Sequence, residues 1–217
     1  MQAVTNAIRL IVPLSLLALT GCFSLGRGEP PQRHYVLGAG MQPAEPASPD
    51  PTGDVAGIAI GLRQPRLAEY LGTPFIVVRL GPNQIRLSEF HRWGETLEQG
   101  INRTVAGYLA TKEPMWRVEF APWPPRTNLD YVIQLHVLRF DGLLPDETAV
   151  TEGEALVQAT WEILRGADGV VLARGTTEYR EGAWTLEDYD SLVSLLQEGL
   201  GVLAEELVTG LKSVMVP

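Results

Sequence analysis

Cysteine is almost absent from this chain of 217 residues, where Cys22 stands alone. No intrachain disulfide or multi-thiolate metal site can therefore be built. Histidine is nearly as scarce: His34, His91 and His136 lie far apart. They show neither H-x-x-H nor H-E-x-x-H spacing, the patterns that would signal a zinc site. Basic residues are in deficit, with 17 Lys and Arg against 26 Asp and Glu and a formal net charge of −9. That balance excludes nucleic acid as a partner and opposes lying flat on anionic headgroups. Beyond the first twenty residues, no apolar run approaches the length of about 18 that a membrane-crossing helix needs. Gly38-Ala39-Gly40 leads into a Pro-rich segment, and no Walker lysine follows any glycine run, so there is no phosphate cradle.

The first residues carry the strongest signal. Arg9 gives a weakly positive start, Leu10 to Leu19 form an apolar stretch too short to span roughly 30 Å of bilayer, and small residues follow. Residues 1–21 read as a signal peptide that is removed. Its last residues, Leu19-Thr20-Gly21-Cys22, resemble the lipobox of bacterial lipoproteins, which implies diacylglycerol on the Cys22 sulfur and a further acyl chain on its freed amine. One acyl chain binds membranes only marginally, so multiple acylation is what makes such an anchor stable. Loss of Arg9 takes the charge from −9 to −10. Phe23, rather than aspartate, follows the cysteine, which points to the outer membrane, with the protein on its inner leaflet facing the periplasm.

About 196 residues remain, enough for one core without covalent staples. Residues 22–54 read as a lipidated tether, with a short strand at His34 to Leu37 and a Pro-rich loop after it. Fourteen flexible residues from Cys22 to Tyr35 would span roughly 20 Å as a random coil. Residues 55–217 read as one domain. Val55 to Leu62, Phe75 to Leu80 and Trp116 to Phe120 are short apolar strands bounded by Gly and Pro. Leu129 to Asp141 alternates, with Tyr131, Ile133, Leu135 and Val137 on one face and Gln134 and His136 on the other. Thr151 to Leu164 repeats the pattern and forms a hairpin, through Asp168-Gly169, with Val170 to Tyr179.

Helical periodicity appears twice. Leu97, Ile101, Val105 and Tyr108 share one face of a helix over about 95–111, where Gly100 and Gly107 each cost about 1 kcal/mol relative to Ala, so tertiary packing must hold it. Thr185-Leu186-Glu187-Asp188 resembles a capping box opening a helix over about 186–213, with Leu192, Leu196, Leu200, Leu203, Leu207 and Leu211 on its core face. The fold class is α+β: an antiparallel or mixed sheet of about six strands covered by two helices.

Catalytic signals are weak. Ser88, Glu89 and His91 have the residue types of a hydrolytic triad, but sequence nearness does not make one, and no G-x-S-x-G elbow exists. Asp146, Glu147, Glu152 and Glu154 cluster without the D-x-D-x-D-G pattern of a calcium loop and read as a solvated surface. No metal, no cofactor and no enzymatic activity are expected.

Pro65-Arg66-Leu67-Ala68-Glu69-Tyr70-Leu71, Phe75 to Arg79, Asn83, Leu87 and Arg92 to Leu97 with Ile101 and Arg103 resemble the PqiC family of ABC-type transport auxiliary lipoproteins. Asp130-Tyr131, Arg139-Phe140-Asp141, the Trp161 strand and the last helix continue the resemblance. Thr96 replaces an expected proline, and the insertion at 38–54 departs from the pattern. The resemblance implies an outer-membrane-anchored periplasmic subunit of a system carrying lipids or other hydrophobic compounds between membranes. Its implied partners are an MCE-domain conduit and ABC or permease components, with homo-oligomers a further option. A competing reading is a lipoprotein that itself binds a lipid in a pocket between helix and sheet. For the recognition surface, Leu80 to Trp93 reads as a loop whose Asn83, Ile85, Phe90 and Trp93 mix apolar, aromatic and polar groups, with Tyr70 and Leu71 as further candidates. Phe90 and Trp93 have the alternative role of stapling the following helix to the sheet.

Overall fold

The structure, a computed structural model, describes residues 31–41, 57–124, 127–144 and 152–215. The signal segment, Cys22, residues 42–56, Asp146 and Glu147 lie outside the described residues. The folded unit reaches back to Gln32 and so takes in part of the stretch read as tether. Tyr35 and Leu37 are core residues.

The centre is a long strand, β7 (Tyr131–Leu144). One edge pairs antiparallel with β8 (Glu152–Arg165), which pairs antiparallel with β9 (Val171–Thr185). The other edge takes three short strands in series, all parallel to it. Tyr131–Ile133 pair with β2 (Ile58–Leu62), His136–Val137 with β3 (Arg66–Leu67), and Gly142–Leu144 with β4 (Phe75–Leu80). Outward from these lie β5 (Gln84–Trp93) beside β4, β1 (Arg33–Tyr35) beside β5, and β6 (Trp116–Phe120) beside β2. The sheet is mixed and curled, with six strands on the path β1-β5-β4-β7-β2-β6 and β3, β8 and β9 joining at β7 and β8.

Residue period explains which side is covered. Ile133, Leu135 and Val137 of β7 are buried, as alternation predicts. A bulge between Val137 and Arg139 inserts one residue, and the buried set then moves to Phe140, Gly142 and Leu144. β8 stays in phase, burying Ala155, Val157, Ala159, Trp161 and Ile163.

Two helices close that face. The second, α2 (Tyr189–Met215), packs on β8 and β9, and the first, α1 (Leu97–Lys112), packs on α2 and β6. All six leucines of the core stripe of α2 are fully buried. At about 1.5–3 kcal/mol each, their burial outweighs the cost of about 1 kcal/mol for each of Gly199, Gly201 and Gly210. In α1 the glycines serve close approach: the Leu37 side chain lies 3.3 Å from where a Cβ on Gly100 would stand, and the Met41 sulfur 3.1 Å from one on Gly107. The segment after β1 thus lies across α1, tied down by Arg103 Nη2 donating to Leu37 O at 2.7 Å and Gly38 N to Gln197 Oε1 at 2.8 Å.

Two local expectations need correction. Leu80 to Trp93 is a β-hairpin, not a loop: Gly81 takes a φ of 62°, and Ile85, Arg86 and Leu87 pair with Arg79, Val78 and Val77. The cap of α2 is Asp188 rather than Thr185, since Asp188 Oδ1 accepts from the Ser191 N–H at 3.1 Å. Thr185 instead closes the preceding turn, its carbonyl accepting from Asp188 N. A short carboxylate at Ncap satisfies an orphan N–H equally well.

Candidate functional site

Between the end of β3 and the start of β4, the edge of β7 has no strand partner over Leu138 to Asp141. A single 3₁₀ turn, Glu69–Leu71, fills this gap. Its Tyr70 hydroxyl donates to Asp141 Oδ2 at 2.7 Å and also lies 3.1 Å from Leu138 O. Asp141, fully buried, further accepts from Arg139 Nη2 at 2.8 Å and Nε at 3.1 Å, while Arg79 Nε stands 4.0 Å away and its guanidinium lies over the Tyr70 ring. Burial, then the Asp141 charge, pushes the Tyr70 hydroxyl up to about 12. A carboxylate buried among two guanidiniums and a phenol has its oxygens satisfied by hydrogen bonds, which is a packing arrangement with no open position for a reactant.

Two further polar residues that carry the family resemblance, Arg103 and Asp130, are engaged in the same internal way. Arg103 grips Glu95 through both Nη atoms at 2.5 Å. Asp130 Oδ2 accepts from the Ala59 N–H at 2.8 Å, pinning β2 to the start of β7. These polar motif positions hold the chain's crossings together, so the surface that meets other molecules must be sought elsewhere.

The five candidate interface residues separate. Leu71 and Trp93 are buried, with Trp93 tilted against Phe140 at 5.9 Å, so both pack inward. They still form the walls of a surface cleft of about 340 Å³, whose rim is Gly72 to Pro74 and Gly94 to Glu98 at the start of α1. Tyr70 is half-buried in the Asp141 cluster, and Phe90 is half-buried on β5. Only Asn83, in the β4–β5 turn, is exposed.

Beside it, Ile85, which the sequence already placed on the recognition segment, and Leu87, which it did not, are 37% and 40% exposed, two apolar side chains on one face. Their i, i+2 spacing was the available signal, hidden because the segment read as a loop. Among the described residues β1 pairs only with His91 to Trp93, leaving the outer edge of β5 open from Gln84 to Phe90. Open edges with apolar side chains are surfaces on which another strand can pair.

Ser88 and His91 do meet, although their nearness in sequence did not by itself require it. The β4–β5 register slips between Phe75 and Val77, and the resulting bulge brings Ser88 Oγ to 2.9 Å from His91 Nδ1. His91 stacks on Tyr189 at 3.9 Å, and burial followed by the charge of Arg33 lowers its pKa. Glu89 is exposed and, among the described residues, no carboxylate bonds the ring's other nitrogen. Ser88 is itself buried, so the pair joins β5 to the start of α2 and does not assemble a triad. The histidines lie on three strands, β1, β5 and β7, and no group among the described residues could hold a metal ion. Glu154 pairs with Arg180 at 2.6 Å.

Comparison with known proteins agrees with this geometry. The chain resembles two crystal structures: protein XCC0632 from Xanthomonas campestris, at 17% identity and a TM-score of 0.59, covering 83% of this chain and 91% of that one, and an uncharacterized protein at 18% identity and 0.55, covering 69% and 89%. At such identities the likeness is one of fold. No curated protein matches the chain significantly. Residues 35–208, nearly all of the folded unit, match the ABC-type transport auxiliary lipoprotein component family, which is not an enzyme class, and to that family of cell-envelope proteins the chain belongs.

Proposed function

We propose that the protein is a non-enzymatic, lipid-anchored subunit of an envelope assembly in which an MCE-type conduit, with ABC or permease components, moves lipids or other hydrophobic compounds between membranes. The observation that carries this reading is the family match over residues 35–208. Cys22 bears the diacylglycerol and N-acyl chains, and the body faces the periplasm from the inner leaflet of the outer membrane. The tether keeps a partner's tip at high local concentration, so a weak contact suffices. The β4–β5 hairpin is the docking surface: Asn83 at its turn, Ile85 and Leu87 on its exposed face and Phe90 along the open edge accept an extended segment of the conduit protein by strand addition. The carrier reading gains no support, because leucines of α2 and the valines, isoleucines and alanines of β7 and β8 fill the space between helices and sheet.

The test is crosslinking and co-purification of the full chain from its native host, with mass spectrometry of its N-terminus. An acylated Cys22 and a co-purifying MCE protein are expected. Ile85→Asp with Leu87→Asp should abolish that association while leaving thermal unfolding unchanged. Undiminished association refutes the hairpin as the docking surface, and an unmodified sulfhydryl at Cys22 refutes the anchor.

A further inference from the structure

Among the described residues, the sheet face turned away from the helices is partly covered. Trp123 and Leu129 lie over Gly61 of β2, and the Tyr70 cluster covers Asp141. A cleft of about 380 Å³ opens on this same face. Two cross-strand rows form its floor. Arg66, His136, Thr160 and Thr176 stand opposite one another on β3, β7, β8 and β9, and Glu162 stands opposite Arg174 in the next row.

The charges in these rows are unspent. Directly opposed residues of an antiparallel pair have Cβ atoms about 5 Å apart, close enough for Glu162 and Arg174 to bond each other. Among the described residues, none of Arg66, Glu162 and Arg174 takes part in an ion pair, whereas Arg180, further along β9, is taken by Glu154. Three strand spacings of about 4.8 Å and an offset of two residues along β9 place the Arg66 and Arg174 backbones about 16 Å apart, so both long side chains can reach a group lying over Thr160. Phosphate alone would meet the charge of Glu162, and an amine alone would leave two guanidiniums unanswered. A ligand with both charges a few bonds apart answers all three.

We propose that this cleft binds a phosphate ester carrying a primary amine on a short linker, the chemistry of a phosphoethanolamine group. Arg66 and Arg174 donate to the phosphate oxygens, the hydroxyls of Thr160 and Thr176 add neutral donors, and Glu162 accepts from the ammonium. The site is a property of this chain alone and stands whether or not the transport assembly of the preceding subsection exists.

Titration of the detergent-solubilised full chain with sn-glycero-3-phosphoethanolamine, followed by calorimetry, should saturate, and glycerol should give no heat. Arg66→Gln and Arg174→Gln should each weaken binding by on the order of tenfold, the scale of one charge-assisted contact. Glu162→Gln should weaken the amine-bearing ester and strengthen glycerol 3-phosphate, a reversal that a general loss of structure does not produce. Flotation of the Cys22→Ser chain with phosphatidylethanolamine vesicles separates the sources. Capture by vesicles assigns a headgroup presented in a membrane, and binding of the soluble ester without capture assigns a free ester. No saturable binding in either arm overturns the proposal, as does binding that both arginine variants leave unchanged.

Discussion

Replacing Asp141 with Asn tests whether the family's polar signature is architectural. The carboxylate is fully buried and answers the Tyr70 hydroxyl and two Arg139 nitrogens, with Arg79 at 4.0 Å. An amide in its place still accepts from one donor, but it turns an N–H₂ group toward a guanidinium and removes the only negative charge in the cluster. Breaking a buried ion pair costs about 3–5 kcal/mol. Arg139 is 22% exposed and keeps some hydration, so the lower end, about 3 kcal/mol, applies here. Against a total stability of about 5–15 kcal/mol the loss is large, and for a chain of this size it should lower Tm by roughly 6–12 °C. Urea and thermal unfolding of the full chain measure it. The paired change Asp141→Leu with Arg139→Met, which leaves neither charge in the gap, should cost clearly less than Asp141→Leu alone. A loss below about 1 kcal/mol for Asp141→Asn, or a double variant no more stable than the single, would refute the assignment of Asp141 as the electrostatic plug of the β7 edge.

Three further outcomes follow from the same packing. The Tyr70 hydroxyl, raised to about 12 by burial and Asp141, stays protonated in the folded chain where an unfolded tyrosine ionises near 10. Stability is therefore complete below about pH 10 and is lost as pH rises toward 12; Tyr70→Phe should flatten part of that slope, the remainder coming from Tyr179 and Tyr35, which burial also raises. His91 is shifted the other way by burial and Arg33, so the folded chain resists its protonation. Stability should fall as pH drops below the ordinary value of 6.5, and His91→Gln should reduce that loss, read from unfolding midpoints across pH. Gly199→Ala should destabilise by about 1–3 kcal/mol despite the better helix propensity. Its Cβ would lie 2.6 Å from Val157 Cγ2 and 2.8 Å from the Tyr179 ring, and a stable variant by calorimetry would mean that α2 sits further from the sheet.

Much of this architecture was legible because it depends on local periodicity. The alternation of Tyr131 to Val137 and the six leucines of α2 each state which side is buried, and the structure buries those sides. What escaped was decided by single residues that change phase. The extra residue at Leu138 shifts the inward positions of β7 from odd to even and brings Asp141 to the gap that Tyr70 fills. The slip in β5 joins Ser88 to His91, and Gly81 turns an apparent loop into a hairpin. Leu71 and Trp93 show the same limit from the other side, since an aromatic or leucine near a helix start reads equally as anchor or as contact until a neighbour such as Phe140 is placed.

The amino-acid order alone determined the α+β class, the two helices and the likeness to a lipoprotein family, because composition, period and short motifs act over a few residues. Tertiary structure alone decided which motif residues are spent on internal bonds and which surface is left open. Arg66, His136, Thr160 and Thr176 come from four strands, and only the register of β3, β7, β8 and β9 sets them in one row. Register depends on where bulges fall across distant segments, and no window along the chain contains that information.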